Sequence, residues 1–143
     1  MSKAPNPRRT RQRDSIARVL DASHGPMSAQ EILRAAKKSS AGLGLATVYR
    51  NIRAMCESGE VAEVGVPGEA PRYERAGKSH HHHFLCRRCG RLFEVEGCPG
   101  NLSALAPRGF TLESHDLTLL GLCDVCGVSK KPLAPSPGGR SHK

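Results

Sequence analysis

Residues 79–96, SHHHHFLCRRCGRLFEVE, hold four histidines, two cysteines and two acids. Imidazole nitrogen, thiolate sulfur and carboxylate oxygen are the protein donors that bind transition metals. In an extended segment, side chains alternate between faces. His81 and His83 then point one way, and His80 and His82 the other, so one strand can serve two separate metal sites. The competing reading is a polar strand with its histidines in solvent. Three residues after His83, Cys86-Arg87-Arg88-Cys89 offers a pair of thiolates, and Cys123 and Cys126 repeat the same spacing. Two such pairs complete a tetrahedral closed shell around zinc, an arrangement that packing of small buried side chains explains poorly. Cys89 and Cys123 are 34 residues apart, longer than a compact zinc ribbon needs. Folded structure is therefore expected between the pairs, with its two ends pinned by the metal.

Composition sets the scale of what must position these donors. The chain has 143 residues, 3% of them aromatic, and no Trp. A chain so poor in large side chains gains from a metal staple. Its formal net charge of +9 favours a polyanionic partner, most often nucleic acid. No apolar run is long enough to span a membrane, and the N-terminal MSKAPNPRRTRQR has no signal-peptide core. The expected location is cytoplasmic, where cysteines stay reduced and serve as metal ligands rather than disulfides.

Residues 1–9 read as a flexible basic arm. Lys3, Arg8, Arg9, Arg11 and Arg13 give five positive charges before the first acid, Asp14, which suits phosphate contact if a DNA-binding unit follows. A first helix is expected from Thr10, as cap, to Ala22, with Ile16, Val19 and Leu20 as its apolar stripe. Gly25-Pro26 breaks it. Ser28 and Glu31 form a capping box for a second helix reaching about Lys38. A third helix over residues 45–57 turns Leu45, Val48, Ile52 and Met55 inward, and Gly59 stops it. It exposes Thr47, Tyr49, Arg50, Asn51 and Arg53, the residue types that read base edges and phosphates when a final helix enters the major groove. The plain alternative is a solvated polar face. Residues 61–73 read as a hairpin turning at Pro67-Gly68. Helices followed by a hairpin make a winged helix-turn-helix over residues 10–75.

Residues 76–79 are the expected hinge, and residues 80–128 a small α/β domain, so the fold class is α+β. Strands are expected at 80–86, 91–95, 110–113 and 116–122, with a bend at Cys98-Pro99-Gly100 and a short helix over 101–106. The tail, 129–143, is rich in Pro, Gly and Ser and reads as disordered.

With these elements placed, the sequence resembles the ferric uptake regulator family of metal-responsive bacterial repressors. The resemblance is carried by Arg11-Gln12-Arg13, by Ser28-Ala29-x-Glu31-Ile32, and by Leu45-Ala46-Thr47-Val48-Tyr49-Arg50-Asn51. It continues through Tyr73-Glu74, His80–His83 with Phe84-Leu85-Cys86-x-x-Cys89-Gly90, and Gly109-Phe110 followed by His115. It closes on Leu119-Leu120-Gly121-x-Cys123-x-x-Cys126. It implies a homodimer with winged helices for double-stranded operator DNA and an α/β dimerisation domain. It implies structural Zn2+ at Cys86, Cys89, Cys123 and Cys126. It implies a regulatory Fe2+, Zn2+ or Mn2+ site at Glu74, His81, His83 and Glu94, and DNA contacts from Tyr49 and Arg50. His80 and His82 pair with His115 in a second site, whose usual acid falls where this chain is shortened, around residues 98–101; Cys98 stands open as a donor there. The histidine that the family often places two residues before Ser28 is Pro26 here, and His24 is a candidate substitute. The cysteine that zinc-sensing relatives carry just after the tyrosine–acid pair is replaced by Ala76.

The expected function is a metal-dependent dimeric repressor, not an enzyme, without a small-molecule substrate. An Fe(II)-based peroxide sensor on the same histidines is the alternative within the class. A zinc hydrolase is the alternative outside it, and the chain has no HExxH or comparable motif to support one.

Overall fold

The computed structural model describes residue 4 and residues 6–128. The expected tail at 129–143 and residues 1–3 and 5 of the arm lie outside the described residues. The element order is α1 (Pro7–Ala22), α2 (Ala29–Ala36), α3 (Leu45–Glu57), β1 (Val61–Val64), β2 (Arg72–Arg75), β3 (His82–Cys86), β4 (Leu92–Val95), a 3-10 turn (Ser103–Leu105), β5 (Thr118–Gly121) and α4 (Asp124–Gly127).

Helix α1 begins three residues before the expected Thr10. Asn6 is its cap, its side-chain oxygen accepting the Arg8 N–H at 3.0 Å, and Pro7 occupies the first turn. A proline there has no N–H to lose and its fixed φ suits the helix. Arg8 and Arg9 are thus helical rather than part of a loose arm. The capping box at α2 forms as expected: Glu31 N–H donates to Ser28 Oγ at 3.2 Å, and Ser28 N–H to Glu31 Oε2 at 2.9 Å. The helix ends at Ala36, two residues before Lys38. In α3, Val48, Ile52 and Met55 are buried as expected. Leu45, expected inward, is 37% exposed. Ile16, Leu20, Ile32, Leu43, Val48, Ile52, Met55, Val61 and Tyr73 form one continuous core.

The wing is β1 paired antiparallel with β2, from Val61 opposite Arg75 to Val64 opposite Arg72. Met27 adds a bridge to Tyr73, both backbone bonds being 2.9 Å. The second lobe is a three-stranded sheet in the order β4-β3-β5, with β4 antiparallel and β5 parallel to β3. Strand β3 starts at His82 rather than His80. Residues 110–113 form no strand, and no residue from 96 to 117 is buried. The expected helix over 101–106 shrinks to the 3-10 turn.

The lobes touch along a narrow seam. Val66 of the wing packs with Leu85 and Leu92 of the sheet. Arg72, 7% exposed, donates to Glu69, to Glu31 and to the Gly90 carbonyl. The Glu94 N–H donates to the His24 carbonyl at 3.1 Å. A Cβ on Gly25 would meet the Leu92 carbonyl oxygen at 2.1 Å, so this approach requires glycine for space alone. Gly25→Ala is expected to force the 24–26 segment off β4 at a cost of about 1–3 kcal/mol. Thermal unfolding and the rate of tryptic cleavage at Arg75 and Lys78 check it. Cleavage as slow as in the parent chain would show that this contact does not hold the lobes together.

Candidate metal centres and nucleic-acid interface

Three groups of donors assemble around β3, each with one ligand atom per residue within 4.8 Å of all the others. The first is Cys86, Cys89, Cys123 and Cys126. Cys86 ends β3, and the turn after it carries Cys89 past Gly90 at φ +73°. Cys123 caps the single turn of α4, which brings Cys126 back to it. Cys89 Sγ and Cys123 Sγ are 4.0 Å apart, close to the roughly 3.8 Å edge of a tetrahedron with zinc–sulfur bonds of about 2.3 Å. Backbone N–H groups point at the sulfurs: Cys123 N–H to Cys86 Sγ at 3.3 Å and Cys126 N–H to Cys123 Sγ at 3.5 Å. Burial works against ionising Cys86, yet the surrounding N–H groups outweigh it and bring the thiol down to about 6. Cys126 is pushed up to about 12, by burial and by bonds to its three sulfur neighbours. Four sulfurs gathered at tetrahedral spacing form a donor set that fits Zn2+, which would hold all of them in the thiolate form.

The second group is Glu74, His81 and His83. Glu74 lies in β2 of the wing with its side chain 7% exposed, while the histidines lead into β3 beyond the 76–79 link. Glu74 Oε1 is 2.9 Å from His81 Nε2, and Oε2 is 3.4 Å from His83 Nε2. His81 Nδ1 donates to the Ser79 carbonyl at 2.8 Å. That bond fixes the tautomer and leaves the Nε2 lone pair facing a carboxylate. Two acceptors at that distance need a cation between them, a proton or a metal ion. Burial raises the Glu74 carboxyl, but the His83 hydrogen bond, the two imidazole charges and the His81 bond hold it below its ordinary value. Burial lowers His81, and the Ser79 carbonyl and Glu74 raise it above its ordinary value. The site therefore holds a charged carboxylate and attracts positive charge.

Glu94 lies opposite His83 in the sheet, but its carboxylate is held by Lys78 Nζ at 2.7 Å and is not in the cluster. His24 accepts a backbone hydrogen bond from the same strand and is in none of the three donor groups. The third group is His80, His82 and His115, with Cys98 as a fourth member.

The exposed face of α3 and the start of α1 line a cleft of about 600 Å³ containing Arg8, Arg9, Arg13, Thr47, Arg50 and Asn51. Tyr49 is 42% exposed. Arg50 donates to Thr47 Oγ1 at 3.1 Å, and Arg53 sits 3.6 Å from Glu57. Arg11 is exposed beside this cleft with Arg8. Arg13 is committed elsewhere: it pairs with Glu60 at 2.7 Å and with Ser58 at 3.1 Å, tying α1 to the end of α3. The Asn6 cap carries α1 back over Arg8 and Arg9, which places both beside α3. The Asn-Pro pair ahead of them was the available signal. Among the described residues no helix is long and apolar enough to cross a membrane.

A winged helix joined to a small mixed sheet that gathers cysteine, histidine and carboxylate donors defines a metal-binding regulator of the DNA-binding class. Residues 5–120 match the model of the ferric uptake regulator family. The chain belongs to that family, whose members are metal-responsive transcriptional regulators. It is 30% identical to the ferric uptake regulation protein of Campylobacter jejuni over 126 residues, covering 85% of this chain and 80% of that one. It is 33% identical to the zinc uptake regulation protein of Mycobacterium tuberculosis over 122 residues, covering 83% and 94%. Among solved structures it resembles the Helicobacter pylori ferric uptake regulator, described as having three functional metal-binding sites. That match has a TM-score of 0.67 at 25% identity and covers 84% of this chain and 82% of that one. It also resembles a zinc-bound manganese uptake regulator, with a TM-score of 0.66 at 31% identity, covering 78% and 87%.

Cys86→Ser is expected to remove zinc from the four-cysteine site and to unfold or monomerise the second lobe. Metal content measured with sedimentation and circular dichroism checks it, and a dimer of unchanged stability would count against a structural role.

Proposed function

We propose that the protein is a homodimeric, metal-dependent repressor that binds a two-fold operator in double-stranded DNA. The observation that carries this is the meeting of Glu74, from the wing, with His81 and His83, from the sheet, across the four-residue link at 76–79. An ion of Fe2+, Mn2+ or Zn2+ held by these three residues would supply differential affinity for the arrangement that brings them together. Glu94 could join only by leaving Lys78. The sheet supports the dimer. Strand β5 is an edge strand, with Leu119 49% and Leu120 52% exposed. An unpaired apolar edge of this kind is suited to two-fold pairing with a second copy. Two winged helices related by that axis meet two half-sites. Tyr49, Arg50 and Thr47 face the groove, while Arg8, Arg9 and Arg11 supply charge to the phosphates. The zinc hydrolase reading has no support in the geometry: the Glu74 carboxylate is tied to both imidazoles rather than poised as a base beside an open position.

Operator binding titrated with Fe(II), Mn(II) and Zn(II) after chelation tests the proposal. His81→Ala and His83→Ala should abolish the response to metal while zinc in the four-cysteine site is retained. Equal affinity with and without added metal would overturn the regulatory role. Arg50→Ala should cost about 1–3 kcal/mol per half-site, with folding and zinc content intact. Retained specific affinity would remove Arg50 from the interface.

A further inference from the structure

We infer that Lys78 sets the affinity and the metal preference of the Glu74 cluster, by holding Glu94 in an ion pair that an incoming divalent cation must break. The inference rests on the regulatory reading of Glu74, His81 and His83, and adds to it the residue that tunes the site.

Lys78 lies in the link between the lobes, with a carboxylate from each lobe beside it. Its Nζ is 2.7 Å from Glu94 Oε2, on the sheet, and 3.9 Å from Glu74 Oε2, on the wing. Glu74 Oε2 is also the oxygen that lies 3.4 Å from His83 Nε2. One ammonium therefore leans on an oxygen of the metal-binding group and keeps a second carboxylate out of it. Arg75, next to Glu74 in sequence, is turned away to Asp21 at 3.1 Å.

Glu94 is otherwise placed to be a donor. It stands opposite His83 in the β3–β4 register. Directly opposed residues of an antiparallel pair share a face of the sheet, with Cβ atoms about 4.5–5.5 Å apart. The Glu94 backbone is fixed there by its N–H bond to the His24 carbonyl, so what Lys78 controls is the side chain and not the strand. The pair can open. The Lys78 side chain is 30% exposed, and its ammonium can return to water, whereas Glu74, at 7%, stays within the cluster.

A metal ion meets the consequence in two ways. Its apparent affinity falls with the fraction of chains in which the binding-competent arrangement is not formed, here the fraction in which Lys78 keeps Glu94. Its donor set also changes: two imidazoles and one carboxylate while the pair holds, two imidazoles and two carboxylates once it opens. Carboxylate oxygen suits Mn(II), while imidazole suits Zn(II). Lys78 thus holds the site away from the oxygen-rich set, and its removal favours Mn(II) over Zn(II).

The test uses the full chain with zinc in the four-cysteine site and reads metal binding without DNA. Mn(II) and Zn(II) are each competed against a chromophoric chelator at fixed pH, and the part of the binding lost in His81→Ala marks the site. Lys78→Met should tighten Mn(II) by about tenfold or more, and Zn(II) by less. Lys78→Arg, which keeps the charge, should tighten neither. In a Glu94→Gln background, Lys78→Met should bring little gain, because the donor that it frees is gone. An unchanged Mn(II) affinity in Lys78→Met, or a full gain that survives Glu94→Gln, would overturn the inference. If His81→Ala leaves Mn(II) binding intact, the regulatory reading falls and this inference with it. If His81→Ala removes that binding while Lys78→Met changes nothing, this inference alone falls.

Discussion

The two-residue period of an extended chain is the constraint from which the metal chemistry follows. Consecutive side chains at residues 80–83 cannot share a face. His81 and His83 therefore reach Glu74, while His80 and His82 reach His115 on the other side. The strand then buries Leu85 and Cys86 at its end, and Cys86 opens the four-thiol group. A slip of one residue in the pairing of β3 would exchange the histidine sets and turn Cys86 away from Cys123. The register of His83 against Glu94 on one side and Thr118 on the other prevents this.

The two lobes are held together by different physics. The winged helix has an ordinary apolar core, with Ile16, Ile32, Val48, Ile52 and Met55 almost fully enclosed. The second lobe has almost none: its buried leucines, Leu85 and Leu92, pack with Val66 of the wing. With so little apolar burial, the sheet depends on shared donors for its order, as small metal-bound domains do. Cross-lobe ties such as Arg72 to the Gly90 carbonyl then link the wing directly to the turn that carries Cys89.

What the sequence made legible was what local chemistry decides. Ser28 and Glu31 form their capping box, Gly59 ends α3 at φ +78°, and the CxxC pairs meet. The alternation of the histidines was readable for the same reason, since it depends only on backbone period. Helix α1 starts at Pro7, ahead of the expected Thr10, because Asn6 caps it and a proline at the first turn breaks nothing. Leu45 follows the helical spacing of a core residue, but spacing alone does not say whether another element covers the first turn of α3. Partners far apart in sequence were invisible: Arg13 is claimed by Glu60, 47 positions away, and Glu94 by Lys78 of the link. The segment at 110–113 has the residues of a strand but pairs with neither edge of the sheet, whose order is β4-β3-β5.

The seam between the lobes bears on whether a metal can reposition them. Burial of Val66, Leu85 and Leu92 is worth at most about 1.5–3 kcal/mol for each side chain, and less against a denatured chain that is already partly compact. Shifting a two-state equilibrium from one side to the other takes about 5.5 kcal/mol of differential binding, the same order as the seam. An extensive apolar interface would lock the wing in place whatever filled the Glu74 cluster, and no interface would let it drift. A few apolar side chains, one buried arginine and a glycine-sized contact at Gly25 lie between those limits. There, the cation between a carboxylate and two imidazoles can decide which arrangement prevails.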